Sequence, residues 1–141
     1  MRNKNKEGML EEKVNQKASL SMGIVDFFRL ASKKYQNSPL YPRTWYALTG
    51  CYSYQKGEFK TLNELKNLIE NERGLSFQGL GYKTMGFFNQ MLKGFRIEPF
   101  KIGGKAYLEP ARVKEMRKYG LEPAHDKLYY LLKETKRRIR S

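Results

Sequence analysis

The sequence is poor in the residues that catalytic and cross-linked sites need. Cysteine, histidine and tryptophan occur once each, as Cys51, His125 and Trp45. A lone cysteine leaves no intrachain disulfide and cannot build a zinc knuckle, and it suits a reducing, intracellular setting. A lone histidine, in a polar segment opened by Pro123, offers no Ser/His/Asp order. The sequence contains neither a metal-ligand cluster nor a phosphate loop of the G-x-x-x-x-G-K-[ST] form. The glycines of "GLSFQGLG" lack the strand and spacing of a nucleotide fingerprint, and the carboxylates are scattered. The expectation is a protein that is not an enzyme, with no catalytic residue, no metal and no cofactor. Long apolar runs are missing too. "MGIVDFFRLA" is interrupted by Asp26 and Arg29, and nothing resembles a signal peptide or a membrane span. A soluble, cytoplasmic chain with no membrane partner is expected.

Positive charge is what the sequence has in excess. The 141 residues carry 28 Lys and Arg against 14 Asp and Glu, a net charge of +14 and a pI near 9.9. That balance attracts polyanions, nucleic acid first and an anionic membrane surface second. The excess is unevenly placed. Residues 61–92 hold 3 basic and 3 acidic side chains, whereas residues 93–118 hold 8 and 3 and the last nine hold 5 and 1. A neutral middle with cationic edges suits a packed core better than a uniformly charged surface. The length allows one domain with a core, plus tails.

Read along the chain, residues 1–20 form a flexible basic arm. Ile24, Phe28, Ala31 and Tyr35 recur at helical spacing and predict a helix over 21–36. Pro39 and Pro42 break it, and a second helix over 42–55 turns Trp45 and Leu48 inward. Thr61 and Glu64 form a T-x-x-E capping box ahead of Leu62, Leu65, Leu68 and Ile69, with a stop near Gly74. A third helix runs from Tyr82 to Lys93 and ends at Gly94. It has Met85, Phe88 and Leu92 on one face and Lys83, Gly86, Phe87 and Gln90 on the other. "IEPFKIGGKAYL" then reads as two short strands turned at Gly103-Gly104, with Pro99 keeping the first strand at an edge. Pro110 opens a helix to Gly120. A last helix after Pro123 carries Leu128, Leu131, Leu132, Thr135 and Ile139 on one face and leads into a basic tail at 133–141.

Helix, helix, turn, helix, hairpin is an order that resembles a winged helix-turn-helix domain. The likeness rests on "TLNELKNLIENERG", "LSFQGLGYKT", "MGFFNQMLKG" and "FRIEPFKIGGKAYL", about half of the chain. The stretch "KIGGKAYLEPARVKEM" is also similar to the wing of excisionase-like and MerR-like DNA-binding proteins. A second resemblance, carried by "RTWYAL", "TLNEL" and "GLGYKT", is to the C-terminal domain of the RNA polymerase α subunit, whose DNA-backbone contacts would carry over to Arg43, Gly81, Lys83 and Thr84. These resemblances imply a mainly α fold over 21–132, with a two-stranded β-hairpin wing and flanking helices.

They also imply a function. The third helix would meet duplex DNA through Tyr82, Lys83, Thr84, Phe87, Gln90 and Lys93, and the wing would pair with phosphates through Lys101, Gly103, Gly104 and Lys105. Tyr82 and Phe87 have the alternative of core or rim packing. Expected roles are sequence-selective DNA binding in a small, phage- or plasmid-type transcriptional regulator, or in a recombination or replication accessory factor, associated with the nucleoid. Two alternatives stay open: an RNA-binding or ribosome-associated protein, and a protein-interaction module on a winged scaffold. A homodimer through the 123–139 helix is a further expected partner.

Overall fold

The apolar spacing of residues 24–35 does produce a helix, and its buried face shows what the rest of the chain is built around. In this computed structural model, which describes residues 18–76 and 79–140, α1 spans Ile24–Tyr35 and buries Ile24, Phe27, Phe28 and Ala31. The predicted arm at 1–20 falls almost wholly outside the described residues. The start of α1 is tied to a distant segment. Ile24 N–H donates to the Lys60 carbonyl at 2.9 Å and Leu62 N–H donates to the Met22 carbonyl at 3.0 Å, around an isolated bridge between Gly23 and Thr61.

The predicted helix over 42–55 is two pieces, α2 (Leu40–Thr49) and α3 (Tyr52–Gln55), divided at Gly50 and Cys51. Pro42 lies in the first turn of α2, where its missing N–H has no partner to lose. Leu48 is buried, and Trp45 is half-buried with its ring edge-on to Phe28 at 5.2 Å.

α4 (Leu62–Asn67) opens with the predicted capping box. Glu64 N–H donates to Thr61 Oγ1 and Thr61 N–H donates to Glu64 Oε1, both at 3.2 Å. The helix then widens into a π turn over Leu68–Glu72, with Arg73 N–H reaching back to the Leu68 carbonyl. Gly74 follows at φ +62°, the left-handed geometry expected at a helix end.

α5 (Tyr82–Gly94) is buried on nearly every side. Met85, Phe87, Phe88, Met91 and Leu92 are all in the core, so the two-faced helix of the sequence reading is mostly interior. The ring of Phe88 stacks on Phe28 at 5.9 Å and meets Phe27 and Phe100 edge-on, both at 5.8 Å. Removing each such ring from water stabilises the fold by about 1.5–3 kcal/mol. The helix ends in a Schellman motif. Ile97 N–H donates to the Leu92 carbonyl and Arg96 N–H to the Lys93 carbonyl, with Arg96 itself at φ +62°.

The β-hairpin wing is not there, and this corrects the fold expected above. Among the described residues there is no β-strand, only isolated bridges, so the mainly α part of the expectation stands without its ribbon. The backbone of 100–104 is spent on other partners. Asn89 brackets the Phe100 peptide, and Lys101 N–H donates to Glu70 Oε2 at 2.8 Å. Ile102 lies in parallel with Pro123, exchanging bonds with Glu122 and Ala124, and Gly103 N–H donates to the Ile69 carbonyl in the π turn at 2.9 Å. Every N–H from Phe100 to Gly104 thus donates outside 105–108, which forms a 3-10 turn over Lys105–Leu108 with Tyr107 buried. Gly103-Gly104 is therefore a docking point and not an exposed tip. A Cβ on Gly103 would run into the Glu70 carbonyl.

After α6 (Pro110–Arg117), which opens on Pro110 as predicted, Leu121 returns to the core. α7 (Lys127–Arg140) then extends through most of the segment read as a tail, and no residue of it is buried. Among the described residues no helix is long and apolar enough to cross a membrane.

Candidate nucleic-acid interface

Because α5 is so deeply set, little of it meets solvent. Lys83, Gln90 and Lys93 are exposed, and seven- and three-residue spacings put them along one stripe. Gly86 lies between them and is covered. A Cβ there would sit 2.7 Å from the Tyr119 carbonyl oxygen and 3.3 Å from Tyr119 Cβ, so the turn after α6 rests directly on the helix backbone. That approach brings Lys118, Tyr119 and Gly120 alongside the stripe. Leu40 of α2 and Pro99 complete an open groove of about 490 Å³.

The groove is cationic. Among the described residues, Lys83, Lys93 and Lys118 line it and no carboxylate does. Lys118 is paired with Glu115 at 3.1 Å, beside the groove. Among the described residues, no carboxylate lies within ion-pair reach of Lys83 or Lys93. Gln90 supplies an amide donor and acceptor, and Tyr119 leaves 41% of its surface exposed.

The other predicted contact residues are dispersed. Tyr82 is half-buried, and the Thr84 hydroxyl donates to the Gly81 carbonyl at 3.0 Å, closing the first turn of α5. Phe87 keeps only 7% of its surface and packs edge-on to Tyr35, so the packing alternative describes it better than base contact does. Arg43 is exposed on α2 but is not part of the groove lining. Lys101 is exposed, and Lys105 pairs with Glu134 of α7 at 3.4 Å. Gly103 is buried, and Gly104 N–H donates to the Tyr130 hydroxyl at 2.6 Å. The joint surface of helix and wing is thus replaced by a groove to which neither Lys101 nor Lys105 contributes.

Sequence reasoning missed Lys118 and Tyr119. The signal that could have found them is Gly86, since a glycine inside a helix commonly marks a close backbone approach. His125 is half-buried, stacked on Tyr129 at 3.7 Å, with Nε2 2.9 Å from Asn71 Oδ1. Among the described residues, no three His, Cys, Asp or Glu side chains are grouped to hold a metal ion. Compared with known proteins, the chain matches no family model, no curated protein and no solved structure.

Proposed function

We propose that this protein binds nucleic acid along the α5 groove, with duplex DNA as the partner. The observation that carries the reading is the groove itself: among the described residues it is lined by three lysines and no carboxylate, in a chain of net charge +14. A recessed helix does not enter a major groove as a protruding one does. A concave cationic channel instead receives the convex sugar–phosphate ridge of a duplex, with the lysine ammonium groups paired to phosphates. Selectivity for sequence would then come from the shape and deformability of the duplex seated in the channel, since lysines on phosphates position it without reading base edges. The capped α4 and the helix that follows it belong to this reading; a wing does not. A regulatory or accessory role at the nucleoid follows from it. The homodimer expected through 123–139 is not retained, because α7 repeats like charge along both edges of its apolar stripe.

A second reading is favoured by Tyr119. An aromatic ring at the rim of a lysine-lined channel can stack on an unpaired base, so single-stranded RNA is the competing partner. Fluorescence anisotropy with a mixed-sequence duplex and a single-stranded RNA, at equal salt, tests both. Tighter duplex binding with a steep salt dependence supports the first reading, and tighter RNA binding the second. Absence of binding to either, or binding without salt dependence, defeats the proposal.

A further inference from the structure

α7 presents its leucines to solvent and its polar side to the body of the protein. Tyr130 receives the Gly104 N–H, Glu134 pairs with Lys105, and Lys133 Nζ lies 3.5 Å from the Asn71 carbonyl. A helical repeat of 3.6 residues puts Leu128, Leu132, Thr135 and Ile139 on the side away from those contacts. Their exposures agree: Leu128 60%, Leu132 56% and Ile139 79%, with Leu131 at 58% on the flank. Beside the stripe lies an apolar groove of about 590 Å³, walled by Lys105, Leu108, Glu109, Lys127, Tyr130 and Leu131, with the Glu109 carboxylate paired to Arg112 at 3.4 Å. Leu131 belongs to both, so ridge and groove form one continuous surface.

We infer that this surface docks an acidic amphipathic helix of another protein. Three leucines within five residues, continued along the face by Thr135 and Ile139, match the three- and four-residue spacing of a second helix, and a hollow beside them accepts one of its large side chains. Charge identifies the partner's sign. Lys136 and Arg140 border the stripe on one edge, Lys127 and Arg138 on the other, and the only acid of α7, Glu134, is engaged by Lys105. A second copy would set these cations against their like, which disfavours self-pairing. Nucleic acid would leave the leucines uncovered. An anionic lipid surface matches the charge, but a flat fluid surface has no use for the hollow. The inference is independent of the DNA reading, since the two surfaces share no lining residue.

The test uses the full chain and two synthetic helical peptides with the same leucine spacing, one bearing glutamates at its remaining positions and one bearing lysines. The glutamate peptide is expected to bind and to perturb the amide resonances of 105–109 and 128–139. Leu131→Glu and, separately, Leu132→Glu should each weaken it about tenfold or more, by setting a charge in an apolar contact. Both positions are already more than half exposed, so folding is not at stake. Failure of the glutamate peptide to bind, or equal binding of the lysine peptide, overturns the inference. So does protection of the stripe by anionic vesicles without peptide binding, which assigns the face to lipid. Sedimentation of the chain alone as a dimer with 128–139 protected assigns it to a second copy, and overturns the inference as well.

Discussion

The side-chain amide of Asn89 grips the peptide of Phe100 from both sides. Nδ2 donates to the Phe100 carbonyl at 3.0 Å while Oδ1 accepts the Phe100 N–H at 2.9 Å, inside a site where Asn89 is 6% exposed. An amide here does the work of a neighbouring strand, holding extended chain against α5. Asn89→Leu deprives two buried backbone groups of partners at once, each worth about 1–3 kcal/mol when left unsatisfied. The expected loss is about 2–6 kcal/mol by urea denaturation. Asn89→Asp keeps the acceptor but sets a charged oxygen against the buried Phe100 carbonyl, so at neutral pH it should lose at least as much as Asn89→Leu. A loss under about 1 kcal/mol for Asn89→Leu would show that the clamp does not hold this segment.

Gly103 distinguishes a docked segment from an exposed turn. At a hairpin tip, alanine in place of a left-handed glycine costs about 1–2 kcal/mol of backbone strain. Here the added methyl meets the Glu70 carbonyl, which is rigid backbone, so Gly103→Ala should cost about 3 kcal/mol, at the top of the range for overpacking. Thermal denaturation of Gly103→Ala beside Gly57→Ala compares a crowded glycine with one at φ +78° that has open space around it. The Gly57 change should be the milder of the two.

That same glycine marks where the sequence stopped being legible. Helical periodicity located α1, α5 and α7, and the T-x-x-E box located the start of α4, because these signals are local to the segment that shows them. Gly103-Gly104 carried two meanings, turn or close approach, and only the partner backbone at Ile69 and Glu70 separates them. That partner is exposed by a π turn, which leaves no mark in composition. Asn89 likewise reads as an ordinary polar position until its long-range partner is known. The candidate site was legible through Lys83 and Gln90, read on one face, and through Lys93, expected as a contact but not assigned to that face. Lys118 and Tyr119 come from far along the chain and joined it only through packing on Gly86.

Arg96 holds a left-handed backbone at φ +62° without being glycine. Its side chain is exposed and has no place on the groove lining, so nothing in the site offsets the strain. For a side-chain-bearing residue this conformation costs about 1–2 kcal/mol, and glycine in the unfolded chain returns part of it as entropy. Arg96→Gly should raise stability by about 0.5–1 kcal/mol and leave nucleic-acid binding nearly unchanged. A destabilised variant would contradict the Schellman assignment.

Glu64 connects stability to pH. Backbone hydrogen bonds from Lys60, then the backbone and hydroxyl of Thr61, hold its carboxyl below the usual value of 4.5. A depressed carboxylate stabilises the fold fully above its unfolded-state value, and that contribution is lost as pH falls through the folded one. The stability gap between wild type and Glu64→Ala should therefore be constant near neutrality and narrow below about pH 4.5. Glu64→Gln retains an acceptor for the capping box and should lose less at pH 7 than Glu64→Ala. A carbon-detected titration of the Glu64 carboxyl checks the direction independently. A midpoint above the ordinary range would refute the capping-box account.

Gly86 offers a way to open the proposed nucleic-acid groove without touching a charge. An alanine methyl at that position meets the Tyr119 carbonyl, so the 118–120 turn must move off α5 and carry Lys118 away from Lys83 and Lys93. If three lysines each neutralise one phosphate, log affinity for duplex DNA falls with log salt at a slope of about −2.7. Gly86→Ala should flatten that slope toward about −1.8, the value for two contacts. Lys83→Glu with Lys93→Glu should nearly abolish binding, since it removes two cations and adds two anions to one channel. The reversal of Lys101 and Lys105 provides the contrast. Those lysines lie outside the groove, so Lys101→Glu with Lys105→Glu, which changes the net charge by the same amount, should reduce affinity much less. Anisotropy titrations at two salt concentrations separate the cases. Equal losses for the two pairs would mean that overall charge, and not the channel along α5, attracts the polyanion.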